Sequence, residues 1–399
     1  MSGLIDVADA LTLLISKAGD LGTVTVPLEQ AYGAILAADL KAKVSRPPTA
    51  VSAMDGYAVR LADVTRSGVR LKVVANAPAG HPTGTPIQAG EAARIFTGAP
   101  LPTGTDHVVI QENTTRESDE IVICNTAYTT AQNVRAAGID FSAGETVIAA
   151  GTRIGAAELA TAAAANHAEL TIRRRPRVGI LANGDELRPP GSTLKYGEII
   201  NSNPIGLSAL ITEWGGDPVN LGTAPDDLEA IGKHIADAED IDIFVPVGGA
   251  SVGDHDYMRR AFAEAGFTPI FEKIAVKPGK PTWFSENGNR RVLGLPGNPA
   301  SAFVCAHIFL RALLLRDQEL SFKTAHLAAP LQSNGRRETF QRAHAHISAS
   351  GQLKVQAASN QDSSLLSPFL TANALIRRLP DAPAAAAGSP VEILPIKAL

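Results

Sequence analysis

The sequence predicts a multidomain protein of the α/β plus β class, and three observations lead to that fold class. Between residues 177 and 317, strand-like apolar runs alternate with helical patterns, which is the order of a parallel sheet covered by helices. Between residues 23 and 152, short alternating or apolar runs are separated by Gly and Pro turns, which indicates β structure. After residue 317 short strand-like pieces predict a small β domain.

Individual elements follow from the spacing of apolar residues. An amphipathic helix is predicted where apolar residues at helical spacing precede a glycine: Leu4, Val7, Leu11, Leu14, Ile15 and Gly19. In the β-rich part the predicted elements are strands over 70–74 and 107–110, an alanine-rich helix over 156–165 and a strand over 170–172. The α/β domain has predicted strands over 178–181, 219–221, 241–247 and 292–295 and a helix over 301–315. The final β pieces include 338–342 and 391–394.

Length and composition limit the class of protein. A chain of 399 residues with 45% hydrophobic residues is long enough for roughly two to four domains. A net charge of -4 and an aromatic content of 5% argue against a nucleic-acid binder, and no apolar run reaches membrane-spanning length. Acidic residues near the start argue against a signal peptide, so a cytoplasmic protein is expected. The basic cluster at 173–177 is expected to be a solvated domain boundary.

Polar, glycine-bearing loops follow the four predicted strands of the α/β domain, at 183–186, 222–227, 248–256 and 295–299. Because ligands bind beyond the carboxyl ends of parallel strands, we expect Glu186, Asp226 and Asp256 to approach one crevice. Carboxylates crowded together need a cation, and oxygen ligands without His or Cys favour Mg²⁺. The sequence therefore predicts a magnesium site at this edge of the sheet.

A lysine cluster, Lys273, Lys277 and Lys280, is bracketed by prolines, which favours a fixed contact with an anion. The helix that starts at Pro299 would offer free backbone amides to an anion as well. Acidic metal ligands next to fixed lysines suit a phosphate ester or another oxyanion as the ligand.

A competing interpretation comes from residues 249–253, Gly-Ala-Ser-Val-Gly, which match the nucleophile elbow of serine hydrolases. Ser251 would then be a nucleophile. The chain has no His-Gly-Gly type oxyanion loop, and the acidic loops would have no role in such an enzyme, so the hydrolase is the weaker alternative. P-loop and Rossmann fingerprints are absent from the sequence too.

Several motifs in one order make the chain resemble a known family. They include Ser-Ala-Met-Asp-Gly-Tyr-Ala at 52–58, Lys-Pro-Gly-Lys-Pro at 277–281 and Leu-Pro-Gly-Asn-Pro at 295–299. Further matches lie at 47–48, 95–99, 133–140, 184–187, 201–203 and 248–254. With these motifs the sequence resembles the MoeA molybdopterin molybdenumtransferases, whose relatives include the C-terminal part of gephyrin.

The resemblance implies an elongated homodimer of four-domain protomers. The implied domains are an N-terminal helix with an extended linking domain (1–46 and 141–175), a β-rich insert domain (47–140), a MogA-like three-layer α/β domain that binds molybdopterin (176–322) and a small C-terminal domain resembling a β-barrel (323–399). In such a dimer the insert domain faces the partner's crevice.

The implied activity is Mg²⁺-dependent insertion of molybdenum from molybdate into the dithiolene of adenylylated molybdopterin, with release of AMP. The implied partners also include the molybdopterin adenylyltransferase and maturation proteins of molybdoenzymes, but neither nucleic acid nor a membrane. A gephyrin-like scaffold that holds the pterin without turnover is the alternative within the same family.

The resemblance also implies roles for individual residues. Catalytic roles fall to Asp55, Glu186, Asp226, Asp256 and Lys277, of which Glu186, Asp226 and Asp256 would hold the metal. Substrate-binding roles fall to Thr97, Arg135, Asp140, Asp185, Gly248, Gly249, Ser251, Asp254, Lys273, Lys280, Pro296, Gly297, Asn298, Arg342 and Ser363. Read alone, Arg135 and Asp140 would also fit a surface ion pair. The chain departs from the family pattern at Asn183, Val247 and Asp362, where Thr, Ser and Gly are usual.

Overall fold

The structure is a computed structural model that describes residues 4–249, 257–316 and 320–399. The chain divides into two compact units. One, here called the β-rich unit, is Thr23–Arg173, and the other, the α/β-barrel unit, combines Met1–Gly22 with Arg174–Leu399. The four finer domain bounds predicted from the sequence stay predictions.

The β-rich unit is built around a six-stranded sheet. In sheet order its strands are His107–Ile110, Gly56–Val59, Glu91–Ile95, Val69–Ala77, Ile121–Cys124 and Thr114–Arg116. Neighbours are antiparallel except for the parallel pair Val69–Ala77 and Glu91–Ile95. Alternate residues pack on opposite faces, since Tyr57 belongs to one buried cluster and Ala58 to another. Both faces of the sheet are therefore covered.

Short antiparallel ladders complete this unit. They pair Thr23–Pro27 with Glu169–Arg173, Leu40–Lys41 with Thr146–Ile148, and Val51–Ser52 with Val134–Arg135. The predicted alanine-rich helix spans Ala156–Ala164 and contributes Ala162 to a cluster with Leu36, Ile154 and Leu170. Single 3₁₀ turns lie at Leu28–Gln30, Leu61–Asp63 and Gln111–Asn113.

The α/β-barrel unit contains the predicted parallel sheet. In sheet order its strands are Asp217–Ala224, Arg177–Asn183, Ile243–Val247, Arg290–Gly294, Trp283–Asn287 and Thr268–Phe271. The first four are parallel, as the alternation of strand and helix predicts. Two strands that the sequence did not predict extend this sheet: Trp283–Asn287 pairs antiparallel with Arg290–Gly294, and Thr268–Phe271 pairs antiparallel with Trp283–Asn287. The tight turn between Trp283–Asn287 and Arg290–Gly294 produces this antiparallel pair, because Gly288 has a φ of 55° and lets the chain reverse directly.

Helices cover both faces of the sheet. They are Val7–Lys17, Asn203–Glu213, Leu228–Asp237, Tyr257–Glu264, Pro299–Cys305 and Arg311–Leu315, the last two joined by a π turn at Ala306–Leu310. Val245 and Leu293 face one core cluster, whereas Phe244 and Val292 face the other. The domain is thus a three-layer α/β sandwich. None of the helices in the described ranges is both long and apolar enough to span a membrane.

The chain start and the basic cluster are tied to this domain. Leu4–Ile5 pairs in parallel with Lys273–Ile274, and the first helix begins at Val7. Within the basic cluster, Arg174 makes two hydrogen bonds to the carboxylate of Asp242, at 2.9 and 2.7 Å, which raise the pKa of the guanidinium. The expected domain boundary is confirmed, since the two units divide within this cluster. The cluster is not only solvated, however, because Arg174 is paired with the carboxylate of Asp242.

The last segment forms a closed five-stranded barrel, which confirms the predicted barrel-like domain. Around the barrel the strands are Glu338–Ile347, Leu353–Ala357, Lys323–Leu327, Pro390–Pro395 and Ala374–Arg378, which pairs back to the first. Its core is filled by small or branched side chains such as Ala343, Val355 and Ile376. Val276–Lys277 adds to the edge of Glu338–Ile347, and this pairing attaches the barrel to the α/β domain.

Candidate functional site

A pocket of about 680 Å³ opens at the carboxyl ends of the parallel strands. The α/β domain supplies most of its lining, and the barrel adds two residues from the loop before the short helix Pro368–Thr371. The lining residues are Asn183, Glu186, Leu187, Ile199, Ile200, Asn201, Ser202, Asn203, Val247, Gly248, Gly249, Pro281, Pro296, Gly297, Asn298, Pro299, Ser364 and Leu366. Of the residues assigned from the sequence, Glu186, Gly248, Gly249, Pro296, Gly297 and Asn298 are brought together here.

The glycine pair after strand Ile243–Val247 shapes one wall of the pocket. Gly248 and Gly249 have φ values of 93° and 63°, a backbone region that side chains other than Gly rarely adopt. A Cβ on Gly249 would also strike the Oδ1 of Asn183. The two glycines thus bring backbone close to the cavity. Ser251, Asp254 and Asp256, which follow them, lie outside the described residues.

Carboxylates follow the two neighbouring strands Arg177–Asn183 and Asp217–Ala224, as predicted. Glu186 lines the pocket, and its side chain folds over Gly184. Asp226 is exposed outside the lining, and its N–H donates to Asp185 Oδ1 at 3.4 Å. No group of three His, Cys, Asp or Glu side chains within metal-binding reach occurs among the described residues. The metal assignment of Glu186, Asp226 and Asp256 therefore stays a prediction.

A second wall of the pocket was not assigned a role by sequence reasoning. It is formed by Asn201, Ser202 and Asn203, where the helix Asn203–Glu213 begins. The segment is held in place because Asn203 Nδ2 donates to Gly297 O at 2.8 Å and Asn201 Nδ2 donates to Thr223 Oγ1 at 3.2 Å. The sequence did contain a sign of this wall: a polar triplet stands before Pro204 at a helix start, inside a motif that matches the family.

The lysine segment is fixed, but none of the three lysines lines the pocket. Thr282 donates to Gly279 O through its N–H at 3.0 Å and its Oγ1 at 2.8 Å. Gly279 packs on the sulfur of Cys305, and burial raises the pKa of that thiol to about 12. The turn therefore holds Lys277 and Lys280 on a rigid frame, directly before the lining residue Pro281. A direct contact of Lys273, Lys277 or Lys280 with a substrate stays a prediction.

Arg342 is placed differently from what its assignment implies. It is 2% exposed on the barrel strand Glu338–Ile347, where it is covered by the loop 360–365, and it does not line the pocket. Its guanidinium donates to the backbone oxygens of Leu365 at 2.6 Å, Asp362 at 2.9 Å and Asn360 at 3.3 Å. Its cation thereby holds the loop that carries Ser364 and Leu366 into the pocket.

The same loop accounts for Ser363 and Asp362. Ser363 Oγ accepts a hydrogen bond from Asn298 Nδ2 at 3.0 Å, and Ser363 O accepts one from the N–H of Ala300 at 2.9 Å. This second bond occupies one of the helix-start amides that were expected to be free. The hydroxyl and N–H of Ser364 both donate to Asp362 Oδ1, which lowers the pKa of Asp362. The added charge at Asp362 is thus satisfied locally.

In the β-rich unit, Asp55 and Thr97 lie together. Thr97 donates to Asp55 Oδ1 from its N–H at 2.7 Å and from its Oγ1 at 2.8 Å. These bonds, with a smaller effect from the charge of Arg94, lower the pKa of Asp55. Arg94 Nη1 donates a hydrogen bond to Gly56 O at 3.0 Å, and the guanidinium of Arg94 lies over the ring of Phe96. Asp55 is therefore a carboxylate kept ionised and fixed by its own unit.

Arg135 and Asp140 belong to the same unit but not to one ion pair. Arg135 lies in a strand paired with Val51–Ser52, next to the segment that carries Asp55. Asp140 instead contacts Arg46, with 3.5 Å between Oδ2 and Nε. The interpretation of Arg135 and Asp140 as a mutual surface pair was wrong, because the backbone of 138–140 pairs with that of 46–47.

The chain therefore has a three-layer α/β domain with a pocket at the carboxyl ends of its parallel strands, joined to a small barrel, which is the class of fold in which ligands bind at the sheet edge. Three family models match consecutive parts of the chain. They are the MoeA N-terminal region (domains I and II) at residues 5–166, the probable molybdopterin binding domain at 179–316 and the MoeA C-terminal region (domain IV) at 324–396.

Individual relatives agree with these models. A molybdopterin molybdenumtransferase of Nostoc sp. is 35% identical over 85% of this chain and 81% of its own length, and one of Haemophilus influenzae is 34% identical over 93% of both chains. A solved molybdopterin biosynthesis MoeA protein from Pyrococcus horikosii matches with a TM-score of 0.85 and 30% identity, covering all of both chains.

The chain belongs to the MoeA family and is a transferase of molybdenum cofactor biosynthesis. The predicted fold class and family are thereby confirmed. Neither the non-catalytic scaffold nor the serine hydrolase is favoured by these relatives.

Proposed function

We propose that the chain inserts molybdenum from molybdate into the dithiolene of adenylylated molybdopterin, in a Mg²⁺-dependent reaction that releases AMP. The observation that carries the proposal is the pocket of about 680 Å³ at the strand ends, which has the volume typical of a small-molecule site. Both relatives described above carry the name molybdopterin molybdenumtransferase.

Each part of the pocket has a task in this reaction. The backbone at Gly248 and Gly249 and the helix start at Asn203 can approach anionic groups closely. In the reaction two Mo–S bonds form while Mo–O bonds of molybdate break, and the displaced oxygens leave with the dithiol protons. An oxygen nucleophile attacks the adenylyl phosphorus, the anhydride P–O bond to the molybdopterin phosphate breaks, and AMP leaves carrying the attacking oxygen. Holding both reactants in one rigid pocket lowers the entropic part of the barrier.

The acidic loops fit a magnesium ion by their chemistry, since Glu186 and Asp226 offer hard oxygen donors at the ends of neighbouring strands. With Asp256 they would hold the ion, and bound Mg²⁺ would neutralise charge on the adenylyl phosphates. Lys277 and Lys280 would add positive charge from the fixed turn before Pro281. Asp55, Thr97, Arg135 and Asp140 are proposed to serve the same reaction from the β-rich unit.

Release of AMP tests the proposal. Purified protein with adenylylated molybdopterin and Mg²⁺ should release AMP only after molybdate is added, and EDTA should stop the release. A non-catalytic scaffold would retain the pterin and release no AMP under any of these conditions. Labelling of Ser251 by a fluorophosphonate, with no AMP release, would instead support the hydrolase.

We also propose that the protein acts in the cytoplasm as a homodimer, with the molybdopterin adenylyltransferase and molybdoenzyme maturation proteins as partners. Sedimentation velocity should give twice the chain mass of 41.6 kDa. A species at the mass of one chain across micromolar concentrations would contradict the dimer.

A further inference from the structure

A second pocket, here called the edge pocket, has a volume of about 360 Å³ and lies at the antiparallel edge of the α/β sheet. Helix Tyr257–Glu264 lines one side, and strands Thr268–Phe271 and Trp283–Asn287 line the other. None of its described lining residues belongs to the pocket at the strand ends. The edge pocket is therefore a separate cavity, and the proposed reaction does not use it.

The floor of the edge pocket contains a polar group that lacks a partner. Ser285 is 5% exposed, and its hydroxyl makes no hydrogen bond to any described residue. Ser285 pairs across the sheet with Val292, which packs with Phe262 of the helix, so its side chain points to the helix side, where the edge pocket lies. The hydroxyl is not among the buried, unpaired polar atoms that solvent cannot reach. A molecule in the edge pocket can therefore reach it.

Aromatic side chains form the apolar part of the same floor. Phe267 and Trp283 line the edge pocket and are 3% and 2% exposed. Both rings pack edge to face on Phe262, with centroid distances of 5.2 and 5.8 Å. This packing keeps the two rings in place, so the floor is a rigid apolar surface on which a flat ring can lie.

Charged groups of opposite sign line the two sides of the edge pocket. Arg259 and the exposed Arg260 come from the helix, and Glu272 directly follows strand Thr268–Phe271. Glu272 is half-buried, and its carboxylate has neither a hydrogen bond nor an ion pair with any residue that the structure describes. A guanidinium only donates and a carboxylate only accepts. The helix side therefore offers donors to a ligand, and the strand side offers acceptors.

We propose that the edge pocket binds a planar aromatic carboxylate that carries an amino group at the opposite end of its ring system. The ring lies on Phe267 and Trp283, the carboxylate accepts from Arg260, and the amino group donates to Glu272 and Ser285. The volume of about 360 Å³ suits one or two fused rings. This inference does not rest on the proposed function.

The probe for this site is 6-amino-2-naphthoate. Its two fused rings carry the amino group and the carboxylate at opposite ends, and the anisotropy of its own fluorescence reports binding. Competition gives the dissociation constants of 2-naphthoate, which lacks the amino group, and of 2-naphthylamine, which lacks the carboxylate. We expect the wild type to bind the probe about tenfold or more tightly than either competitor, because each of them loses a hydrogen bond to a charged group.

Variants locate the bound probe. Ala263→Trp should abolish binding, because Ala263 is an exposed helix residue in the lining and a large side chain there fills the cavity from outside the core. Arg260→Ala should weaken the probe and 2-naphthoate by about tenfold each. Glu272→Ala should remove the preference for the probe over 2-naphthoate, and Ser285→Ala should reduce it. Glu264→Ala is the matched control, because Glu264 is an exposed acid on the same helix but outside the lining.

Two results would overturn the inference: no saturable binding of the probe to the wild type at millimolar concentration, or wild-type affinity in folded Ala263→Trp or Arg260→Ala. Circular dichroism checks the folding of each variant. AMP release in the molybdate assay is read separately and should keep the wild-type rate in Ala263→Trp. Failure of the probe to bind, with normal AMP release, would remove this inference and leave the proposed function standing.

Discussion

The edge of the β-rich unit that carries Asp55 and the pocket of the α/β-barrel unit differ in how their polar groups are satisfied. Asp55 receives two hydrogen bonds from Thr97. In the pocket region, the carboxylates of Glu186 and Asp226 have no hydrogen-bond or ion-pair partner within the described ranges, and the same holds for Oδ1 of Asn183 and Asn203.

The difference separates a preorganised group from groups that lack such bonds in the described ranges. A carboxylate that accepts bonds from a rigid neighbour keeps its charge and position without help. Solvent-accessible carboxylates such as those of Glu186 and Asp226 are hydrated and remain free to bind a cation, whereas a buried acceptor without a partner carries a desolvation cost. In the proposed function, cation and substrate binding fall to the pocket and its acidic loops, and Asp55 supplies a fixed charge.

The largest effect is expected at the strand-end acids. Asp226→Asn should lower the rate of AMP release by about 100-fold or more, because one ligand charge of the cation is lost. Asp227→Asn is the matched control, since Asp227 Oδ1 caps helix Leu228–Asp237 by accepting from Ala230 N–H at 2.8 Å and Asn caps helices as well. Equal rates in both variants, measured by chromatography of AMP, would refute the role of Asp226.

A second effect concerns the buried histidine of the helix behind the pocket. His307 is 4% exposed, and burial, with the charges of Arg311 and Lys397, lowers its pKa to about 3. The folded state therefore favours the neutral form of His307. Its contribution to the free energy of unfolding is complete above the unfolded pKa near 6.5 and is lost as the pH falls toward 3.

Urea unfolding at pH 7.5 and at pH 5.0 measures this effect. The wild type should lose on the order of 2 kcal/mol over that interval through His307, and His307→Phe should show a loss smaller by that amount. The same dependence on pH in both proteins would show that His307 does not contribute.

The smallest effect is expected at Thr97. Thr97→Val removes the Oγ1 bond to Asp55 but keeps the backbone N–H bond, so AMP release should fall only a few-fold. The pKa of Asp55, followed by NMR of its carboxyl carbon, should rise toward its ordinary value. Thr97→Ser keeps the hydroxyl and should resemble the wild type, and an unchanged pKa in Thr97→Val would contradict the preorganised state of Asp55.

Much of the fold was predictable because periodicity reports which residues face a core. Strands buried on both faces appear as apolar runs, and their alternation with helices implies parallel order. The antiparallel edge was missed although Asn287-Gly288 is a typical hairpin dipeptide. Parallel order also explains why Glu186 and the glycine pair could be placed at one pocket from their positions alone.

The remaining site features depend on distant partners that no local pattern specifies. The sequence shows that residue 342 is an arginine, but only the path of loop 360–365 shows that its guanidinium donates its hydrogen bonds to backbone oxygens. The unpaired oxygen of Asn203 likewise depends on where Gly297 O lies, almost a hundred residues further on. Asp140 meets Arg46 for the same reason.

Direct binding of Mn²⁺, a paramagnetic substitute for Mg²⁺, tests the contrast between the two regions most directly. Electron paramagnetic resonance titrations would compare the wild type with Glu186→Gln, Asp226→Asn and Asp55→Asn, each checked for folding by circular dichroism. Affinity for Mn²⁺ should fall by about tenfold or more in the Glu186 and Asp226 variants and stay unchanged in Asp55→Asn. Loss of Mn²⁺ binding in Asp55→Asn, with wild-type affinity in the other two, would contradict it.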